Sequence, residues 1–136
     1  MYISVKAVVI DNDHVLSIKK TWKNETKYIL PGGHWDFPEL FSKGAEREAY
    51  EETGVKVRAS KLKHIHFDIQ HRRVELYYIC RLEEGRRDRM EPTLKDAEVM
   101  VEEWIPQWVH LNEILSLPIK SEGFKCIIQK ILRRDA

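Results

Sequence analysis

Short apolar runs alternate with turn-forming residues in the first part of the chain, a pattern typical of β-strands. Residues 2–10 are rich in β-branched side chains, and the turn-like residues 11–14 separate them from a second such run at 15–20. This pattern predicts a β-hairpin. Residues 28–30 predict a further short strand, which Pro31-Gly32-Gly33 is expected to end.

The middle of the chain changes from a helical to a strand period. A helix is predicted from about Ser42 to Thr53, with Gly54 as the residue that ends it. Residues 64–69 alternate, so that one face carries His64, His66 and Asp68 and the other carries Ile65, Phe67 and Ile69. After a turn at 70–73, the next strand places on one face Val74, Leu76, Tyr78, Cys80 and Leu82.

A charged loop, residues 85–96, precedes an amphipathic C-terminal helix. The apolar stripe of this helix, at positions i, i+3, i+4, i+7 and i+8, consists of Phe124, Ile127, Ile128, Ile131 and Leu132. Strands interspersed with helices predict an α+β fold, in which a mixed sheet is flanked by helices, as a single domain over residues 1–136.

Composition narrows the class of protein. The chain has 136 residues, 43% of them hydrophobic, which is enough for one core. A net charge of +1 argues against a partner such as double-stranded nucleic acid. No apolar run near the start is long enough for a membrane segment, and the two cysteines favour a reducing compartment. We therefore expect a cytoplasmic protein without a membrane partner.

An acidic arc on the predicted central helix carries the candidate chemistry. At 100° per residue, Ala45 and Ala49 form the packing face, and Glu46, Arg47 and Tyr50 face solvent. Between these two faces, at the edge of the core, lie Glu48, Glu51 and Glu52.

Helical spacing leaves this arc short of positive charge. Glu48 has no cation three or four residues away, so no cation on its own helix is expected to neutralise it, whereas Glu51 has Arg47. Two carboxylates on adjacent turns repel by roughly 3 kcal/mol at an effective dielectric near 20. If the arc is half buried, either a pKa rises or a divalent cation binds; a solvated acidic face is the other interpretation. Oxygen ligands without His or Cys suit Mg²⁺ or Mn²⁺ better than zinc.

Residues 33–55 resemble the Nudix box, G-x5-E-x7-R-E-U-x-E-E-x-G-U, in which U is aliphatic. Every fixed letter is present, as Gly33, Glu39, Arg47, Glu48, Glu51, Glu52 and Gly54, with Ala49 and Val55 at the U positions. The approach YILPGG and the later segment from Glu98 to Trp104 are also similar to the family. The resemblance implies a Nudix α/β/α sandwich and a Mg²⁺-dependent pyrophosphohydrolase, with Mn²⁺ as a substitute.

The resemblance also implies a role for each matched residue. The expected metal ligands are Glu48, Glu51, Glu52 and the Gly32 carbonyl. Arg47 is expected to orient a box glutamate, which the helical wheel suggests is Glu51. The general base is expected to be Glu52 or Glu98. Residues expected at the substrate are Lys20, Gly33, Trp35, Glu39 and Arg72, although Lys20 as a solvated lysine and Trp35 as a core residue are open alternatives.

Two histidines suggest a different metal. His64 and His66 share a strand face, but no third ligand stands in clear register with them, so a zinc site is not expected.

The substrate is left open by the sequence. Family members that act on ADP-ribose tend to carry a proline where this chain has Gln70 and His71. The expected substrate is therefore a nucleoside triphosphate, including noncanonical or oxidised ones, with a nucleotide sugar next. The alternatives are a non-catalytic nucleotide-binding module of the same fold and a plain interaction domain; a homodimer is left open.

Overall fold

The computed structural model describes residues 1–83 and 90–133. Part of the predicted charged loop, residues 85–89, therefore lies outside the described residues. In chain order the elements are β1 (Tyr2–Asp11), β2 (His14–Trp22), β3 (Glu25–Ile29), β4 (Gly32–His34), α1 (Phe41–Thr53), β5 (Val57–Asp68), β6 (Arg73–Leu82), α2 (Asp96–Val99), β7 (Glu103–His110), α3 (Leu111–Ile114) and α4 (Glu122–Arg133).

The predicted hairpin forms, but its two strands soon separate. β1 and β2 pair only beside the turn, where Ile10 faces Val15. The turn residues Asn12 and Asp13 both have positive φ, 51° and 61°, as a two-residue hairpin turn of the primed type requires. Beyond the turn β1 lies between β4 and β6, with β5 at the edge, and β2 lies between β3 and β7. One hairpin thus joins two parts of the sheet.

Helices cover both faces of the sheet. Successive side chains of β1 point to opposite faces, so Val5 and Ala7 pack with α1 in one core cluster, and Val8 packs with α4 in the other. The expected α+β sandwich, a mixed sheet flanked by helices, is confirmed. The predicted apolar stripe of α4 is mostly buried, as Phe124 shows, but Leu132 at its end is 40% exposed.

β5 and β6 follow the predicted alternation. The predicted face of β6, from Val74 to Leu82, joins the cluster beneath α1. On β5 the polar face, including His64 and His66, is half-buried, and the apolar face, including Phe67, is exposed. The polar face of β5 therefore points towards the interior of the molecule.

Two segments differ in detail from the prediction. Gly32 and Gly33 do not simply end a strand, because they belong to β4, which pairs with β1. α1 starts at Phe41 and ends as predicted at Gly54, whose φ of 78° is readily adopted by glycine. Among the described helices, none is both long and apolar enough to cross a bilayer.

Candidate active site

Two glutamates of the acidic arc on α1 are buried more deeply than their predicted position at the edge of the core. Glu48 is fully buried and Glu52 is 3% exposed, whereas the side chain of Glu51 is 32% exposed. The predicted solvent face is correct for Tyr50 but wrong for Glu46. The side chain of Glu46 is only 19% exposed, because β5 covers it and Ala59 N–H donates a 2.9 Å hydrogen bond to its Oε2.

Arg47 holds three glutamates together. Its Nε and Nη2 donate to the two oxygens of Glu39 at 3.1 and 2.8 Å, and its Nη1 donates to Glu48 Oε1 at 2.8 Å and to Glu51 Oε1 at 3.2 Å. These bonds lower the pKa of Glu39 and raise that of Arg47. Arg47 does reach Glu51, as the wheel suggests. However, Arg47 makes two hydrogen bonds to Glu39, and these bonds fix the loop before α1 to the helix.

A second cation comes from a distant part of the chain. Lys95 Nζ lies 2.7 Å from Glu48 Oε1 and 3.4 Å from Glu51 Oε1. The expectation that no cation on α1 reaches Glu48 is wrong, because Arg47 contacts it from the adjacent position. Helical spacing alone considers neither adjacent residues nor other elements, and therefore it missed the contacts of both cations with Glu48.

One oxygen of Glu48 has no partner in spite of these cations. Its Oε2 is buried and lacks a hydrogen bond in the described part of the chain. A Cβ at Gly33 would lie 2.7 Å from this oxygen, so glycine is what lets β4 approach the carboxylate. A buried carboxylate oxygen without a donor is costly, and a bound cation would satisfy it.

Glu52 connects α1 to β4 and to the region before β7. Gly32 N–H donates to Glu52 Oε1 at 2.9 Å, and a side-chain hydrogen bond joins Glu52 to Glu98. Burial, followed by the bond with Glu98, raises the pKa of Glu52 to about 10. Without a cation, Glu52 therefore keeps its proton at neutral pH. Trp104 Nε1 donates to the Glu52 carbonyl at 3.0 Å and fixes the end of the helix.

A cavity of about 450 Å³ opens beside Glu52 and Glu98. Its lining also includes the cationic side chains Lys6, Lys20, Arg73 and Lys120. Burial lowers the pKa of Lys120, and the positive charges of Lys20, Arg73 and Lys6 lower it further. Burial also lowers the pKa of Lys6, although the negative charges of Glu75, Glu52 and Glu48 act in the opposite direction. The cavity thus brings acidic and cationic side chains together in one lining.

Not every residue predicted at the substrate faces this cavity. Lining it are Lys20, Gly32, Gly33, Glu52 and Glu98. Arg72 lies in the turn before β6 and its neighbour Arg73 lines the cavity instead. Trp35 packs near Phe41 in the α1 core cluster, and its Nε1 donates to the Glu39 carbonyl at 2.7 Å.

Sequence reasoning missed several residues of the cavity. Lys6 and Ser4 alternate with core residues along β1, and Arg73 and Glu75 do so along β6, in parallel register with it. Polar residues at every second position of two otherwise apolar strands were the available signal. Their convergence depends on the parallel pairing of β1 with β6, which the sequence did not reveal.

The residues of the acidic site fit a hard divalent cation. Within the described residues Glu48 Oε2 is a buried oxygen without a hydrogen-bond partner, and Glu51 and Glu52 supply further carboxylates on adjacent turns. The N–H and C=O of one strand residue point to the same edge, so the Gly32 carbonyl lies on the side from which Gly32 N–H reaches Glu52. All these donors are oxygens, as Mg²⁺ prefers.

Comparisons with known proteins agree with the fold and the box. The model of the NUDIX domain matches residues 2–129. An ADP-ribose pyrophosphatase from Streptococcus suis is 19% identical, with 94% of this chain and 90% of that chain covered and a TM-score of 0.70. A MutT protein from Methanosarcina mazei Go1 is 22% identical, with 98% and 94% covered and a TM-score of 0.66. A NUDIX family hydrolase from Clostridium perfringens is 17% identical, with 99% and 98% covered and a TM-score of 0.71.

The chain belongs to the NUDIX family, since the family model spans nearly all of it. The resemblance drawn from residues 33–55 is confirmed, and so is the expectation of an enzyme of the pyrophosphohydrolase class. Enzymes of this family generally use divalent metals and act on small nucleotides.

Proposed function

We propose that this protein hydrolyses a phosphoanhydride bond in a nucleoside diphosphate linked to another group, with Mg²⁺ as the cofactor and Mn²⁺ as a substitute. The observation that carries the proposal is the cavity itself, whose lining combines the buried carboxyl group of Glu52 with a group of cations. A substrate with a charged phosphate chain and its own metal-binding oxygens is complementary to both kinds of group.

Glu48, Glu51, Glu52 and the Gly32 carbonyl would hold the metal. When bound, Mg²⁺ neutralises phosphate charge and lowers the pKa of a coordinated water. Arg47 keeps Glu48 and Glu51 in place through its hydrogen bonds of 2.8 and 3.2 Å. This support fixes the ligands before substrate arrives, which reduces the cost of ordering them during the reaction.

The chain's own groups supply the remaining steps. Glu98 lines the cavity beside Glu52, so once Glu52 has lost its proton and binds the metal, the carboxylate of Glu98 is free to accept a proton from water. We assign Glu98 as the general base because Glu52 is counted as a metal ligand. Lys6, Lys20, Arg73 and Lys120 bind the phosphate chain.

We further propose a nucleoside triphosphate, including noncanonical or oxidised ones, as the substrate. The cavity has the size of a small-molecule site. Tyr2 and His34 line it and stack on each other with ring centroids 4.2 Å apart and planes 15° apart. These rings, in place of Trp35, can stack on a nucleobase.

A substrate panel tests the reaction. Nucleoside triphosphates, nucleotide sugars and ADP-ribose are incubated with Mg²⁺, and release of orthophosphate is scored against release of pyrophosphate. Glu52→Gln is expected to fold normally and to lose about 10²- to 10⁴-fold in kcat. Glu25→Gln, at an exposed position on β3, is the matched control and should keep full activity. Equal activity of Glu52→Gln and wild type would contradict the assignment of Glu52 to the active site. No hydrolysis of any substrate in the panel would favour a non-catalytic module.

Location and assembly complete the proposal. Cys80 and Cys126 are free thiols, which suits the cytoplasm expected from the sequence. A homodimer is tested by light scattering, with the exposed Phe67 on the edge strand β5 as the first position to change to aspartate.

A further inference from the structure

We propose a second metal site, for Zn²⁺, between β5 and α4. Its ligands are His64, His66 and Cys126, whose donor atoms all lie within 4.8 Å of one another. The two histidines share the inward face of β5, and α4 supplies the third ligand that the sequence left unidentified.

His64 supplies independent support for a ligand at this place. Its Nε2 is buried and has no hydrogen-bond partner in the part of the chain that the structure describes. Its ring lies 6.1 Å from the ring of His66, with the planes 30° apart. Because Lys130 donates to the other ring nitrogen, Nε2 carries the ring hydrogen in the metal-free protein, and a buried N–H without an acceptor is unfavourable. A cation bound in place of that hydrogen would give Nε2 a partner.

The donor set selects zinc over the metal of the acidic site. Two imidazoles and a thiolate are ligands that zinc prefers, whereas Mg²⁺ requires oxygens. A tetrahedral zinc ion with bonds of about 2.0 Å to nitrogen and 2.3 Å to sulfur needs donors roughly 3.3 to 3.6 Å apart. The donors therefore have to approach one another by at most about 1.2 to 1.5 Å, which side-chain rotation can supply because all three residues are half-buried, and water takes the fourth position.

Lys130 has to move when zinc binds through His64 Nε2. Its Nζ lies 2.8 Å from His64 Nδ1 and donates to that nitrogen. Once Nε2 binds the ion, Nδ1 carries the hydrogen of the ring and can no longer accept from the ammonium. Lys130 is half-buried on the last turns of α4, so its long side chain can turn towards solvent.

Zinc at this position would join α4 to β5 beside the cavity. His66 lines the cavity, and the ring of His64 lies 5.7 Å from that of Tyr77, which also lines it. Binding to the folded state alone would raise the melting temperature of the protein.

Zinc titration of the intact protein in excess Mg²⁺ tests this site, because Mg²⁺ occupies oxygen ligands and leaves His and Cys free. One zinc per chain is expected by calorimetry. Cys126→Ser and His66→Asn should each weaken binding by more than about tenfold. Cys80→Ala, which removes the other thiol from the core beneath α1, should leave binding unchanged.

Cobalt gives a readout that does not depend on activity. The Co²⁺ form should show a thiolate-to-cobalt charge-transfer band and the visible bands of tetrahedral cobalt, both lost in Cys126→Ser. Glu48→Gln should keep these bands, so failure of the acidic site and failure of this site are distinguishable. Substoichiometric zinc, or equal zinc affinity and cobalt spectra in wild type and Cys126→Ser, would overturn the proposal.

Discussion

Lys95 places a positive charge where the acidic residues of α1 meet. Its ammonium contacts Glu48 and Glu51 while half exposed, and the Glu48 side chain it contacts is 1% exposed. An ion pair with a buried partner is screened less by solvent than one between two exposed groups. Lys95 therefore acts as the counter-ion of the acidic site in the metal-free protein, and it would compete with a divalent cation bound by the same carboxylates.

Replacing Lys95 by methionine should have opposite effects with and without metal. Without Mg²⁺ the melting temperature should fall by about 2–4 °C, because Glu48 loses a counter-ion. The rise in melting temperature on adding Mg²⁺ should be larger than in wild type, because the Lys95 ammonium no longer competes for the carboxylates. Lys43→Met removes an exposed pair with Glu46 on the same helix and serves as the control. An unchanged Mg²⁺ response in Lys95→Met would show that the two cations do not compete.

The raised pKa of Glu52 predicts how stability depends on pH. The folded-state pKa of about 10 lies above the ordinary 4.5, so the folded state binds more protons than the unfolded state between these values. The free energy of unfolding of the metal-free protein therefore falls as pH rises through this window. Glutamine does not titrate and preserves the hydrogen bonds of a protonated glutamate.

Glu52→Gln should consequently melt higher than wild type in a chelator, and its advantage should be larger at about pH 9 than at about pH 6. Thermal melts at both pH values measure this difference. In Mg²⁺ the wild type should gain stability that the variant does not. A constant difference across pH would mean that Glu52 is already ionised in the metal-free fold.

At the level of elements, the site depends on how closely β4 approaches α1. β4 is held by β1, with Gly33 opposite Val5, while α1 packs on the same strand through Ala45 and Ala49. Small residues on both elements permit the approach that brings Gly33 against Glu48. The loop between the elements is held by Arg47 and Glu39.

Gly33→Ala should therefore displace Glu48 without unfolding the protein. We expect Mg²⁺ affinity to fall by more than about tenfold, measured from the Mg²⁺ dependence of the melting temperature. Gly123→Ala is the matched control, because its new methyl group would meet Tyr77 on α4's side of the sheet. That variant should lose stability but keep its Mg²⁺ response, and the same loss of response in both variants would argue against a specific role for Gly33.

At the level of the whole molecule, a net charge of +1 conceals a concentration of charged groups of both signs around the cavity. Lys6 and Lys120 are held close to other cations and have lowered pKa values. A phosphate chain between them would favour their charged forms again. Substrate affinity should therefore weaken as pH rises through the lowered pKa values, because deprotonation removes the charges that bind phosphate.

Nucleotide binding should take up protons at a pH between the lowered pKa of Lys120 and its ordinary value of 10.5. Calorimetry with a non-hydrolysable nucleotide in buffers of different ionisation enthalpy measures the uptake. Lys120→Ala should reduce it, whereas Lys125→Ala, at an exposed position of α4, should not. Equal uptake in all three proteins would exclude Lys120 as a phosphate ligand.

The spacing of residues along the chain was sufficient to predict the secondary-structure elements and part of the site. The helical wheel correctly placed Glu48 and Glu52 beside the packing face of α1, at the edge of the core, although both are buried more deeply than an edge position implies. It failed for Glu46, because β5 covers that residue from outside the helix. The alternation of β6 likewise identified its apolar face but not which neighbour of β6 would complete the cavity.

The sequence by itself determined the helix, the strands, the family box and the concentration of carboxylates on α1, because these depend on residue type and periods of two or 3.6. Only the tertiary structure decided which distant residues join them. Lys95 neutralises Glu48 from 47 residues away, Arg73 replaces Arg72 at the cavity, and Cys126 meets His64 and His66. Such contacts arise from strand pairing and helix packing, in which a shift of one residue exchanges the inward and outward faces, so local patterns cannot specify them.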